Sequence, residues 1–425
     1  MIKFALQAAE QLPGTESSAR DQHIAPVPRI SIQAFCESPE TAAAIQAAAA
    51  DRRMIKAHLK LQMGGAAAAA EAYRNSPTPN VIIIESESRS EELLAALDSL
   101  SEVCDPGTRV IVLGRVNDIL LYRELVRRQI SDYLIAPIDV LDIVRAVSQL
   151  FGAPDAKPVG RVLAVVGAKG GVGASTVAHN IAFAIARDIH LDSVVADLDL
   201  PFGTAGLDYN QDPPQGIADA VFSPERIDTS FVDRLLSKCT DHLSLLAAPA
   251  TLDRVYDFGA EAFDAIFDVL RTTVPCTVLD VPHVWTGWSR RVLLGADDVL
   301  IVTAPDLANL RNVKNLIDLL RQGRPNDRQP HYCLNQVGVP KRPEIKPADF
   351  AKALESEPAA VIPFDPQVFG TAANNGQMIA EVAAGHRVAD TFRQLAQLMT
   401  GRSEQKRARS NLFTPLLEKL KRRQA

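Results

Sequence analysis

Ten residues near the middle of the chain, Gly167-Ala168-Lys169-Gly170-Gly171-Val172-Gly173-Ala174-Ser175-Thr176, restrict its fold more than any other stretch. The apolar run 161–166 before them reads as a buried parallel strand, and Val177 to Arg187 after them reads as a helix. Strand, glycine-rich loop and helix form the setting of a phosphate-binding loop. Glycines let backbone N–H groups turn inward around an anion, and the helix start adds the positive end of its dipole. Ser175 stands where such loops hold Mg²⁺. The general pattern ends in Gly-Lys-Ser/Thr, whereas this loop ends in Gly173-Ala174-Ser175. The lysine that reaches the β- and γ-phosphates is therefore missing, and Lys169 inside the loop remains. The rival is a glycine-rich turn with no ligand. The coincidence of strand, glycines, hydroxyls and Lys169 weighs against it.

The remainder reads as two α/β domains with flanking segments. At 425 residues the chain is long enough for two or three domains. Residues 1–28 are polar and proline-containing and are expected to be a disordered arm. In 29–150 five strands alternate with five helices, a flavodoxin-like layout. Residues 151–160, with Pro154 and Pro158, form a linker. A P-loop domain with a mostly parallel sheet is expected over 161–400. Within it Asp197 and Asp199 end the second strand, where carboxylates face the ligand crevice; a solvated turn is the rival. Glu261 to Arg271 reads as a helix. Asp280 follows four small or apolar residues, the Walker B pattern, where a carboxylate holds the water shell of a metal. His283 reads as a surface or capping residue rather than a catalyst.

Composition removes several function classes. A net charge of −6 argues against general nucleic-acid binding. The five cysteines, at 36, 104, 239, 276 and 333, have neither metal-ligand spacing nor a disulfide framework, which fits a reducing, cytoplasmic setting. No apolar run reaches the roughly 18 residues a spanning helix needs, and no signal peptide is evident. Residues 401–425 differ from the rest: eight Lys/Arg stand against Glu404 and Glu418, about +6 net. Leu412, Phe413, Leu416, Leu417 and Leu420 share one helical face there. This tail reads either as a basic amphipathic anchor lying on a membrane surface through 411–425 or as a helix that docks on protein.

Lys169-Gly170-Gly171-Val172-Gly173, followed by Ser175-Thr176, resembles the deviant Walker A loop of the MinD/ParA ATPases, departing from it at Ala174. The resemblance implies ATP and Mg²⁺ as cofactors. Lys169 to Thr176 would cradle the phosphates, and Ser175, Asp197 and Asp280 would lie on the metal side. Asp199 would position the attacking water, and Lys169 would reach a partner's phosphates in a homodimer. Gly203 to Asp208 would be a nucleotide-sensing loop. Asn335 would meet the adenine edge and the loop at Pro363-Phe364 would flank the base, with a buried asparagine bonding backbone as the rival. The tail resembles the C-terminal targeting helix of MinD.

The first domain looks like a response-regulator receiver without its chemistry. Ala34 and Phe35 stand where receivers keep an acidic pair, Glu85 where they keep the phosphoacceptor, Gly114 for their Thr/Ser and Ala136 for their lysine. Glu85 is expected to be solvated, with a permanent charge mimic as its rival, and the domain to serve dimerisation or docking. A receiver-like domain fused to a MinD/ParA-like domain resembles the TadZ/CpaE proteins. These are localisation and assembly factors of the Flp (Tad-type) pilus, peripheral to the inner membrane and at the cell pole. That implies an ATP-binding dimeric scaffold with slow or absent hydrolysis, contacting pilus secretion components. The alternatives are an active partition or division-site ATPase and an iron–sulfur reductase of the same fold.

Overall fold

The computed structural model describes residues 23–88, 90–151, 159–252 and 254–402. The expected arm over 1–28 and linker over 151–160 fall partly outside these residues, and the basic tail beyond 402 falls wholly outside. Two compact units emerge, one built on the chain up to 151 with 324–327, the other on the rest.

In the first unit β1 (Ile30–Cys36), β2 (Ala57–Met63), β3 (Val81–Glu85), β4 (Arg109–Gly114) and β5 (Asp132–Ile135) form an all-parallel sheet in the order β2-β1-β3-β4-β5. Five helices alternate with them: α1 (Pro39–Ala49), α2 (Gly65–Ala72), α3 (Ser90–Ser101), α4 (Ile119–Arg127) and α5 (Val140–Leu150). β3, Val-Ile-Ile-Ile-Glu, is buried at every residue, as a central parallel strand covered on both faces must be. One core layer joins Ile32, Ile45, Val81 and Val147; another joins Phe35, Ile82, Leu97 and Leu125.

Glu85, expected in solvent, is buried at the end of β3. Its carboxylate accepts from the Glu37 and Ser38 amides at 2.8 and 2.9 Å, from Ser38 Oγ at 2.5 Å and from Thr41 Oγ1 at 2.7 Å. Ser38 is also the N-cap of α1. The buried charge thus sits at a helix start, where orphan amides and the dipole favour an anion. Burial alone would raise the Glu85 pKa, but the bonds from Ser38, Thr41 and Glu37 outweigh it and hold the group below its ordinary value.

The second unit holds eight strands: β6 (Arg161–Gly167), β7 (Ser193–Asp197), β8 (Ser237–Lys238), β9 (Leu243–Leu246), β10 (Cys276–Val281), β11 (Asp298–Thr303), β12 (His331–Val337) and β13 (Ala360–Pro363). Their order is β13-β12-β11-β6-β10-β7-β9-β8, parallel except for the β8–β9 edge pair. The loop 167–173 therefore leaves a strand central to the sheet. The helix it feeds, α6 (Ala174–Asp188), is buried continuously from Val177 to Ala186. It lies between the sheet and the helix Arg387–Thr400, and only a helix enclosed on all sides tolerates so apolar a run. The helix expected from Glu261 begins at Asp264, because 260–263 form turns.

Replacing Glu85 with Gln presents an amide N–H₂ to the backbone and hydroxyl donors. Hydrogen bonds to a charged acceptor contribute about 1.5–3 kcal/mol each, so Glu85→Gln is expected to cost at least about 2 kcal/mol. Hydrogen exchange of the 37–41 amides in the full-length protein measures the loss. Because the folded pKa is depressed, the wild-type contribution is complete above the unfolded carboxylate range and disappears as pH falls through the lower folded value. Glu85→Gln is expected to lack this acid-side dependence; exchange equal to wild type at neutral pH would refute the role.

Candidate functional site

The loop after β6 is held from outside by its carbonyls. His283 Nδ1 lies 2.9 Å from Gly167 O, and Asn312 Nδ2 donates to Ala168 O at 2.8 Å. Gln336 Nε2 donates to Gly171 O at 3.0 Å and Asn335 Nδ2 to Val172 O at 2.8 Å. The amides behave oppositely: among the described residues, none from Lys169 to Thr176 donates to a protein acceptor. Those of Ala174, Ser175 and Thr176 open α6, where no intrahelical partner exists. Gly171 and Gly173 take φ of +80° and +83°, left-handed values that let successive amides converge. A Cβ at Gly173 would also lie 2.6 Å from Asn335 Nδ2, whereas Gly170 and Gly171 face open space. Carbonyls fastened outward and unpaired amides fit an anion such as a polyphosphate.

Lys169 is exposed in this loop, and Ser175 and Thr176 are half-buried at the start of α6. Lys169 acts on Asp306 just beyond β11. Burial would raise that carboxyl, but bonds from Asn309 and the charge of Lys169 keep it low.

The acidic residues gather one layer deeper. Asp197 and Asp280 are register partners at the ends of β7 and β10, both almost fully buried. Asp197 accepts from the amides of Asp199 and Ala205, each at 3.1 Å. Burial, and then the neighbouring charge of Asp280, push its carboxyl up to about 7. Asp199 is half-exposed; its carboxylate accepts from the Phe202 amide at 3.3 Å, and burial raises its pKa. Gly203 passes so close that a Cβ there would lie 2.3 Å from Asp197 Oδ2. The stretch 203–208 is not wholly a loop, since Ala205–Asp208 forms a one-turn helix, α7.

Sequence reading did not single out His179. It is fully buried on α6, with Nδ1 2.6 Å from Asp208 Oδ2 and Nε2 3.4 Å from Asp280 Oδ2. Burial would lower its pKa, but the two carboxylates raise it to about 10. A His-Asn pair inside the run Val-Ala-His-Asn-Ile-Ala-Phe-Ala-Ile-Ala was the available signal, because polar groups on a buried helix need partners. Asn180 finds its own, donating to Thr176 O and accepting from the Ile379 amide.

Asn335, expected at the adenine edge, bonds the backbone in this structure. Besides holding Val172 O, its Oδ1 accepts from the Gln336 amide at 2.9 Å. Pro363 ends β13 and Phe364 is 38% exposed, with its amide on Val337 O. Asp365 caps the helix Pro366–Asn375. His283, expected at the surface or at a cap, is exposed, with Nδ1 against Gly167 O. No cysteine joins a metal-holding cluster among the described residues.

No protein-family model matches the chain. Among solved structures it is similar to a pilus assembly protein CpaE from Caulobacter crescentus, 50% identical over 31% of this chain and 100% of that one, with a TM-score of 0.30. It shares a fold with the septum site-determining protein MinD complexed with Mg-ADP from Pyrococcus horikoshii. There the identity is 18%, covering 58% of this chain and 99% of that one, with a TM-score of 0.50. The septum site-determining protein MinD of Synechocystis is 28% identical over 161 residues. That match takes in 38% of this chain and 59% of the relative, less than two thirds of its length.

Proposed function

The chain belongs to the CpaE family of pilus assembly proteins, and on that premise we propose that it is an ATP-binding, dimer-forming scaffold of a Flp (Tad-type) pilus secretion machinery. The observation that carries this reading is the loop itself. Its eight consecutive amides lack protein acceptors, its carbonyls are tied back, and a hydroxyl stands at Ser175. Asp197 and Asp280 would hold the water shell of Mg²⁺ beneath the phosphates, and Asp199 would face an attacking water. Ala174 presents a methyl where a lysine would neutralise the β- and γ-phosphates, so binding is weak and turnover slow or absent.

Dimerisation is supported by the surface around the loop. Phe202, Leu207, Val255, Trp285 and Leu307 are each more than half exposed. All lie in segments that follow the C-terminal ends of β7, β9, β10 and β11, the same sheet edge as the loop. So much apolar surface on one side marks an interaction face. Lys169, exposed at the same edge, would cross to the phosphates of a second copy. No helix among the described residues is long and apolar enough to cross a membrane. In this reading the basic stretch 411–425 attaches the dimer to the inner membrane, at the cell pole, and the first unit docks pilus components.

Restoring the missing cation is expected to tighten nucleotide binding. One charge-assisted contact contributes about 1.5–3 kcal/mol, roughly 10- to 150-fold in affinity, so Ala174→Lys should bind fluorescent ATP that much more tightly. Phosphate release by the unaltered protein at the rate of an ordinary MinD would instead favour the partition or division-site ATPase reading.

Lys169→Ala is expected to abolish ATP-dependent dimerisation with little effect on thermal unfolding. Sedimentation with and without ATP–Mg²⁺ decides; a variant that still dimerises on adding ATP removes the trans role of Lys169.

Deleting 411–425 is expected to release the protein from anionic liposomes while leaving nucleotide binding intact. Basic residues near such a surface contribute about 1 kcal/mol each and are screened by salt. If the intact, ATP-loaded protein ignores anionic liposomes, the tail is a protein-docking element.

A further inference from the structure

The structure assigns a metal site to three buried side chains: we propose that His179, Asp197 and Asp280 together bind one divalent transition-metal cation in the absence of nucleotide. The inference rests on reading Asp197 and Asp280 as metal-side carboxylates. It adds an imidazole, and with it a different class of metal.

The three side chains converge from different elements. Asp197 and Asp280 end neighbouring strands in register, and His179 reaches them from α6, one helical turn beyond Ser175. Their ligand atoms all lie within 4.8 Å of one another. Oxygen and nitrogen donors sit about 2.0–2.6 Å from a divalent cation, so donors on opposite sides of one ion are at most about 5 Å apart.

Nε2 of the fully buried His179 has no hydrogen-bond partner. It points toward Asp280 Oδ2, 3.4 Å away, a separation too long for a good hydrogen bond. Nδ1 is held by Asp208 Oδ2 at 2.6 Å. A carboxylate on one ring nitrogen fixes the ring and directs the other nitrogen's lone pair, the arrangement that supports metal-bound histidines. The ion pairs of Asp208 and Asp280 both run to this single imidazole. One imidazole cannot balance three clustered carboxylates, whereas a divalent cation largely does. Mixed imidazole and carboxylate donors favour Mn²⁺, Fe²⁺, Co²⁺ or Zn²⁺ over Mg²⁺ and Ca²⁺, which prefer all-oxygen sets.

Co²⁺ is the probe. Nucleotide-free, full-length protein titrated with Co²⁺ is expected to bind one ion per chain, with visible absorption bands and a calorimetric Kd on the order of micromolar. Excess Mg²⁺ should leave the bands in place and Zn²⁺ should abolish them. His179→Gln should weaken Co²⁺ binding by about 100-fold or more. Asp208→Asn keeps all three ligands but replaces the carboxylate on Nδ1 with a weaker, neutral acceptor, and is expected to weaken it by about 10- to 100-fold. Circular dichroism establishes that each variant is folded; should His179→Gln fail to fold, Asp208→Asn decides. Absence of Co²⁺ bands in the wild type, or equal Co²⁺ affinity in the folded variants, overturns the proposal, and His179 is then a cation paired with Asp208 and Asp280. Fluorescent ADP–Mg²⁺ binding by the same preparation separates the two readings. Nucleotide bound without Co²⁺ sinks only the metal site; Co²⁺ bound without nucleotide sinks only the nucleotide reading.

Discussion

The second unit depends on a division of labour within one loop. A peptide group carries a donor and an acceptor, and burying either without a partner costs free energy. Between Gly167 and Val172 carbonyls find side-chain partners, on Asn312, Asn335, Gln336 and His283. The amides that follow find none. The first set gives the loop its shape without help from a ligand, and the second makes that shape attractive to an anion. The partners come from the ends of β10 and β12 and from the helix after β11, so the loop's geometry is set by the whole strand order.

The alternation of strands and helices was legible residue by residue, because parallel strands buried on both faces read as continuous apolar runs and the intervening helices as amphipathic ones. The loop was legible for the same reason, with its glycines placed where φ must be positive. What escaped reading were groups whose meaning depends on distant neighbours. Glu85 ends β3, but the donors that enclose it come from 37–41, after the neighbouring strand β1 and more than 40 positions earlier in the chain. His179 lay in a helix correctly placed, yet its partners sit 29 and 101 positions further on. Asn335 was noticed, and its observed bonds run to the loop backbone. Helix 261–271 was misplaced at its start, where no capping side chain marks the boundary.

The two units handle buried carboxylates differently. In the first, four donors surround one acid, and its charge is satisfied at home. In the second, Asp197 and Asp280 sit side by side with fewer donors, and burial together with the charge of Asp280 makes Asp197 harder to ionise. The first arrangement consolidates a structure; the second leaves a negative potential for a cation to answer.

The enclosure of Glu85 also limits how this unit can change. An aspartate in its place is one methylene shorter, so it would draw the carboxylate back from the Glu37, Ser38 and Thr41 donors while still lacking the acids and lysine that acyl-phosphate chemistry requires. Installing a phosphorylatable aspartate there therefore means crossing an intermediate that has lost its internal anchor and gained no reactivity. On such a route each step before the last is a defect, so the anchor at Glu85 acts as a ratchet on the unit.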